Sequence, residues 1–338
     1  MNFKEILGNE RIVNYFRKAM GSGRLGHAYL FYGPRGVGKS LLARLICKAL
    51  LCLDPSPEGP CGRCSACHKF DSGNHSDFHS YVPEGLYFKI ELVREIIHQA
   101  SMKPVEARWK TFLLEGVDYM RDEPSNAFLK VLEEPPGQTI LFLISETPDV
   151  LLPTIRSRCQ SFSFQPLPAK LVQQWLVEKN DCTEEEAAAI APYSHGSLAR
   201  ALTLNADQYR DVRDKIFTAL EAALLAKSYS VLLDATKGIA VDRAEMAERL
   251  SILEELVRDL MLLKESDQAN LIHRDLLVKL RPLTAALGRS TLQAFYEDLL
   301  ETREAILKIN ANIGLSLQAL LLPLKKRVEE SRQKDLGA

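Results

Sequence analysis

No stretch of this 338-residue chain approaches the roughly 18 consecutive apolar residues of a membrane-spanning helix. A helical span is therefore not expected. The first ten residues carry Lys4 and Glu5 and no apolar core, so no secretory leader is read there. A dominant charge is missing as well, since 43 Lys and Arg stand against 44 Asp and Glu. Divided at residue 168, the counts are 20 against 18 before it and 23 against 26 after it. Neither part is a basic nucleic-acid module on charge alone, and any DNA contact must be local or shared with partners. No internal repeat or low-complexity tract is found. A cytoplasmic protein is expected, and 46% hydrophobic residues over this length provide for two or three domains with sizeable cores.

What is present begins with Gly33-Pro34-Arg35-Gly36-Val37-Gly38-Lys39-Ser40, a complete phosphate-loop pattern. It follows the apolar run Tyr29–Tyr32, which reads as a buried strand, and opens into Leu41–Leu51, which reads as a helix. Glycines let backbone N–H groups curl around a polyphosphate, and the helix N-terminus adds positive potential. Lys39 is placed to neutralise phosphate charge and Ser40 to ligate magnesium. Nucleotide binding, as ATP or ADP with Mg2+, is the leading inference over a plain glycine turn. Arg35 and the apolar-flanked His27 are expected to border the pocket without doing chemistry.

Hydrolysis needs a second strand ending in a magnesium-side carboxylate followed by a glutamate that polarises water. Thr111-Phe112-Leu113-Leu114-Glu115-Gly116-Val117-Asp118 is the candidate. Glu115 can serve the magnesium, but Gly116 stands where the base is wanted. Asp118 compensates only if the strand ends differently. Binding without efficient hydrolysis is expected.

Of seven cysteines, Cys52, Cys61, Cys64 and Cys67 cluster. Two successive Cys-x-x-Cys steps and one cysteine upstream supply four thiolates for a tetrahedral ion, for which zinc is the usual choice in a reducing compartment. A closed four-sulfur set leaves no open position, so the Zn2+ is expected to be structural, stapling the loop Asp54–Pro60. Chance proximity of surface thiols, or His68 or His75 in place of one thiolate, remain the alternatives. Cys47 and Cys182 read as small core hydrophobes.

Strand patterns recur at Ala28–Tyr32, Phe78–Val82, Thr111–Leu114, Thr139–Ile144 and Ser161–Phe164, separated by helical patterns at Ile90–Ser101 and Pro124–Glu134. This alternation implies an α/β fold, a parallel sheet with helices on both faces and the phosphate loop at the strand C-terminal ends. After Gln165-Pro166-Leu167-Pro168 only helices are read. Glu133-Glu134-Pro135-Pro136 is open to two readings, a helix stopped by prolines or a specific interface.

The phosphate loop, the four-cysteine insert behind it, the run Ala127-Phe128-Leu129-Lys130-Val131-Leu132-Glu133-Glu134-Pro135-Pro136 and Thr154-Ile155-Arg156-Ser157-Arg158-Cys159 together resemble the AAA+ clamp-loader subunits of bacterial DNA polymerase III. Asn310-Ala311-Asn312, with Leu315, Leu317 and Ala319–Leu322, resembles the last collar helix of the delta-prime branch. The resemblance implies an AAA+ domain over 1–167 with a zinc module at about 52–67, an all-α lid over 168–206 and an all-α collar for ring assembly over 207–338. It implies motor (gamma or tau) and delta subunits as partners, with a sliding clamp and primed DNA met through the complex. It also implies that Arg158 is an arginine finger acting on the neighbouring subunit's nucleotide. Within the family, Glu115-Gly116 in place of an Asp-Glu pair favours the delta-prime branch over the motor. So do Ala199 at the lid sensor position with Arg200 one residue late, and Glu146 after the weak polar sensor Ser145. No long extension follows Arg332. A motor ATPase and a zinc-stabilised scaffold with an unused phosphate loop are the competing readings.

Overall fold

Side-chain alternation along the strands decides how the layers form. In the computed structural model, which describes residues 2–83, 87–135, 137–180, 182–226, 228–267, 269, 271–307 and 309–336, the strands are β1 (Ala28–Tyr32), β2 (Phe78–Tyr81), β3 (Lys110–Glu115), β4 (Thr139–Ser145) and β5 (Gln160–Ser163). They form one parallel sheet in the order β2-β3-β4-β1-β5. The helices accompanying it are α1 (Glu10–Ser22), α2 (Lys39–Leu51), α3 (Ser65–Asp71), α4 (Ile90–Ser101), α5 (Asp122–Glu133) and α6 (Pro153–Arg156). Tyr29 and Phe31 of β1 and Phe142 of β4 join Phe16 of α1 and Leu42 and Ile46 of α2 in one core layer. Their strand neighbours Leu30, Leu141 and Leu143 join Val93 and Ile96 of α4 and Phe128 of α5 in the other. Both faces are thus covered, as a parallel sheet requires.

Helices α7 (Ala169–Lys179), α8 (Glu184–Ile190) and α9 (Leu198–Thr203) follow the sheet. They bury Val172, Leu176, Ala187 and Ala201 around Leu167. A capping box at Thr183, whose hydroxyl accepts from Glu186 N–H while the Glu186 carboxylate accepts from Thr183 N–H, starts α8. The chain divides into two compact units, one running to Thr203 and the other starting at Leu204.

The second unit is all helical, with α10 (Ala206–Leu225), α11 (Tyr229–Ile239), α12 (Arg243–Glu265), α13 (Leu277–Ala285), α14 (Arg289–Leu307) and α15 (Ile313–Leu336). Leu256, Leu260, Leu280, Leu299 and Leu317 are buried in it. The Asn310-Ala311-Asn312 turn is built by hydrogen bonds. Arg243 donates to the Asn310 side chain, to Ile306 O at 2.8 Å and to Ala311 O at 3.0 Å. Asn312 Oδ1 caps α15 by accepting Leu315 N–H at 3.0 Å. Among the described residues no helix is long and apolar enough to cross a membrane.

Candidate functional site

The loop 33–38 joins the C-terminal end of β1 to α2, whose N-cap Gly38 supplies no side chain to satisfy the first-turn N–H groups. That leaves donors of the kind that take phosphate oxygens. Lys39 is only 5% exposed, and its amine donates to the carbonyls of Gly33 at 2.5 Å and Pro34 at 2.7 Å. Burial pulls its pKa below the ordinary lysine value, against the nearby charges of Glu146 and Asp118. Glu146 therefore does bring negative charge close to the loop. Arg35 is exposed on the same loop.

Strand β3 ends at Glu115, and Glu115 Oε2 accepts the Ser40 hydroxyl proton at 2.5 Å. Serine hydroxyl and carboxylate are hard oxygen donors of the type magnesium takes. The backbone N–H groups, Lys39, Ser40 and Glu115 thus fit a magnesium nucleotide. At the base position Gly116 lies in left-handed backbone, φ 73 and ψ 38. Asp118 does not substitute for it. Its carboxylate accepts the Ser145 hydroxyl at 2.5 Å and the N–H groups of Glu146 at 2.7 Å and Thr147 at 3.1 Å, so it ties the turn after β4 to β3. The same bond takes the Ser145 hydroxyl proton, which argues against Ser145 as a phosphate donor.

Helix α9 meets the loop at Gly36. A methyl group built on Gly36 would lie 2.0 Å from Ser197 Oγ and 3.1 Å from Ala199 Cβ, and its φ of 77 is also left-handed. Ser197 is the α9 cap, its hydroxyl accepting Arg200 N–H at 3.1 Å. Ala199, then, is set against the loop beside Ser197. Nothing in the residue pattern around Gly196-Ser197 marked this contact.

His27 departs from expectation. It precedes β1 at the end of the strand opposite the phosphate loop, and its Nε2 lies 3.1 Å from the carbonyl of Leu132 in α5. It does not border the pocket, because a five-residue strand separates it from the loop.

The four sulfurs of Cys52, Cys61, Cys64 and Cys67 lie within 4.8 Å of one another, with Cys52 and Cys64 Sγ at 3.9 Å. A zinc–sulfur bond of about 2.3 Å in a tetrahedron puts sulfurs about 3.8 Å apart, so the set matches the ion. Backbone N–H groups of Cys61 and Cys67 point at the Cys52 and Cys64 sulfurs, at 3.3 and 3.4 Å. Burial opposes ionisation of Cys64, but N–H groups of Leu53 and Cys67 and adjoining thiols bring its pKa down to about 6. His75 is not part of this cluster; its Nδ1 accepts Asp77 N–H at 3.2 Å. The loop has other anchors than the cysteines, since Phe3 N–H donates to Glu58 O at 2.9 Å and Arg17 pairs with Glu58 at 2.8 Å. Cys47 is fully buried and its pKa is pushed up to about 12, as for an inert core thiol.

Arg158 sits in the turn between α6 and β5, beside the buried Cys159. Its guanidinium donates to Thr154 O at 3.0 Å and pairs with Glu133 at 2.7 Å. Its side chain is 35% exposed. Helix α5 stops at Glu133, ahead of Pro135, so the proline reading of that run accounts for the helix end. Pro136 lies outside the described residues.

Comparisons with known sequences bear on the whole of this arrangement. The family profile described as DNA polymerase III, delta subunit, matches residues 8–168. The profile of its C-terminal region matches residues 211–326. DNA polymerase III subunit delta' of Pseudomonas aeruginosa is 31% identical over 89% of this chain and 92% of its own. The chain belongs to the delta-prime family of DNA polymerase III subunits. The Bacillus subtilis delta' subunit agrees, 29% identical over 94% of this chain and 96% of its own. The tau/gamma subunit of Haemophilus influenzae is 34% identical, but the match spans 34% of that protein. Full-length correspondence is thus with delta-prime, and this chain is a delta-prime-like clamp-loader subunit.

Proposed function

We propose that this delta-prime-like subunit is the stator of a clamp loader, joining motor (gamma or tau) and delta subunits and presenting Arg158 to a motor neighbour's nucleotide. The observation that carries the reading is the contrast between two ends of the same domain. The catalytic position of its own nucleotide site holds left-handed Gly116, while Arg158 is part-exposed on the turn before β5. Its planar fork would stabilise charge developing on the neighbour's γ-phosphate, worth about 10^3 to 10^5 in rate in related phosphoryl transfer. The assembled ring would then open the sliding clamp and place it on primed DNA. Gly33–Ser40 and Glu115 would hold ATP or ADP with Mg2+ without turning it over. Cys52, Cys61, Cys64 and Cys67 would hold a zinc ion that cross-links the loop behind α2. In this reading the three parts are 1–167, 168–206 and 207–338, the last being the collar.

Reconstitution tests it. Mixed with motor and delta subunits, the chain is expected to enter a hetero-oligomer of fixed stoichiometry, read by mass photometry. Alone it is expected to remain without measurable ATPase. A ring formed by this chain alone that hydrolyses ATP would make it a motor and overturn the proposal.

A further inference from the structure

Glu133 stands where helix physics disfavours it. It is the last residue of α5, and a carboxylate at a helix C-terminus opposes the macrodipole. Among the described residues its one recorded contact is Oε1 to Arg158 Nη2 at 2.7 Å. The two side chains are 48% and 35% exposed, and half-exposed ion pairs add little to stability. Stability therefore does not account for the pair.

Orientation does. Arg158 Nη1 donates to the carbonyl of Thr154 at 3.0 Å and lies 3.4 Å from the Ser157 hydroxyl. Glu133 takes the other terminal nitrogen, so the guanidinium is held from both sides, by α6 and by α5. A guanidinium carries five N–H donors, and these acceptors engage at most three of them. Beneath Glu133, the adjoining Leu132 carbonyl meets His27 at 3.1 Å, which ties the end of α5 to the start of β1. The acceptor thus stands on a fixed base rather than on a frayed helix end.

We propose that Glu133 is a positioning residue for Arg158, setting the plane of the guanidinium before it meets the neighbouring subunit's phosphate. This rests on the trans role of Arg158 proposed above. A misplaced catalytic group loses rate steeply while substrate affinity changes little. Removing the carboxylate is therefore expected to act on kcat.

The experiment uses the reconstituted complex with DNA and clamp. Glu133→Ala is expected to lower ATPase kcat on the order of tenfold with KM unchanged, while assembly and the unfolding midpoint of the free chain stay at parental values. Glu133→Gln, which keeps an acceptor oxygen, should restore most of the rate, and Glu133→Lys should do worse than alanine. In an Arg158→Ala background, Glu133→Ala should cost nothing further, since there is no guanidinium left to orient. Parental kcat in Glu133→Ala, or a full additional loss in the double variant, would overturn the positioning role. So would a rise in rate, which would mean that the carboxylate competes with phosphate for Arg158. Parental activity in Arg158→Ala alone would instead overturn the trans reading itself, and this proposal with it.

Discussion

Placing glutamate at position 116 restores on paper the side chain that hydrolytic relatives of this site are expected to carry. The structure predicts that Gly116→Glu destabilises the domain and gives no ATPase. Gly116 has φ 73 and ψ 38, a conformation that costs an L-residue about 1–2 kcal/mol. Its added Cβ would meet Tyr119 Cδ2 at 3.2 Å and Pro83 at 3.5 Å, so little space offsets the strain. A loss of about 1–2 kcal/mol changes the folded-to-unfolded ratio roughly 5- to 30-fold. With a urea dependence of about 2 kcal/mol/M, the midpoint should fall by about 0.5–1 M. The assay is urea unfolding followed by circular dichroism, with phosphate release measured on the same preparations. Gly116→Ala should lose about as much as Gly116→Glu, and Gly116→Asn less, because asparagine tolerates left-handed backbone. A Gly116→Glu protein with the parental midpoint and new ATPase would refute the reasoning. It would show that only a side chain, and not the backbone, separates this site from a hydrolytic one.

Purified without chelator, the protein should carry about one zinc per chain by metal analysis, and Cys64→Ser should lose it, while the anchors at Phe3 and Arg17 keep the Cys52–Pro60 loop in place. Lys39→Ala should weaken magnesium–ATP binding roughly 10- to 100-fold by calorimetry, the worth of one charge-assisted bond. Asp77, fully buried, accepts N–H groups from Val105, Glu106 and Ala107 at 2.7–2.9 Å, and Asp77→Ala should cost about 2 kcal/mol or more in urea unfolding. Burial alone would raise the Asp77 carboxyl, but those three donors hold it below its ordinary value. Its contribution is therefore fully present above the ordinary aspartate pKa and is lost as pH falls through the lower folded value. The stability gap between parent and Asp77→Asn should be constant above about pH 5 and close below about pH 4.

The strands and the phosphate loop were legible because parallel strands buried on both faces leave near-continuous apolar runs, as in Tyr29–Tyr32 and Thr139–Ile144. The clustering of the four cysteines was legible because their thiols lie close in sequence. Residues whose role depends on distant partners were not. Asp118 reads as a spare carboxylate until β4 is placed beside β3 and its turn donates three hydrogen bonds to it. Asp77 meets its donors nearly thirty residues away, and no local pattern marks it. His27 looked close to the loop in sequence, yet a strand carries the chain across the sheet between them. The contact of α9 with Gly36 was invisible because Ser197 lies far along the chain and small residues carry no signal of what they touch.

The central claim is that this subunit acts on its neighbour's nucleotide through Arg158, and a single comparison tests it. Arg158→Ala is placed in the complex with motor and delta subunits, and assembly and DNA- and clamp-stimulated ATPase are measured on the same sample. The account predicts a complex of parental stoichiometry whose hydrolysis falls, with Arg158→Lys recovering little because a point charge lacks the planar fork. A fully assembled Arg158→Ala complex that hydrolyses ATP at the parental rate would contradict it.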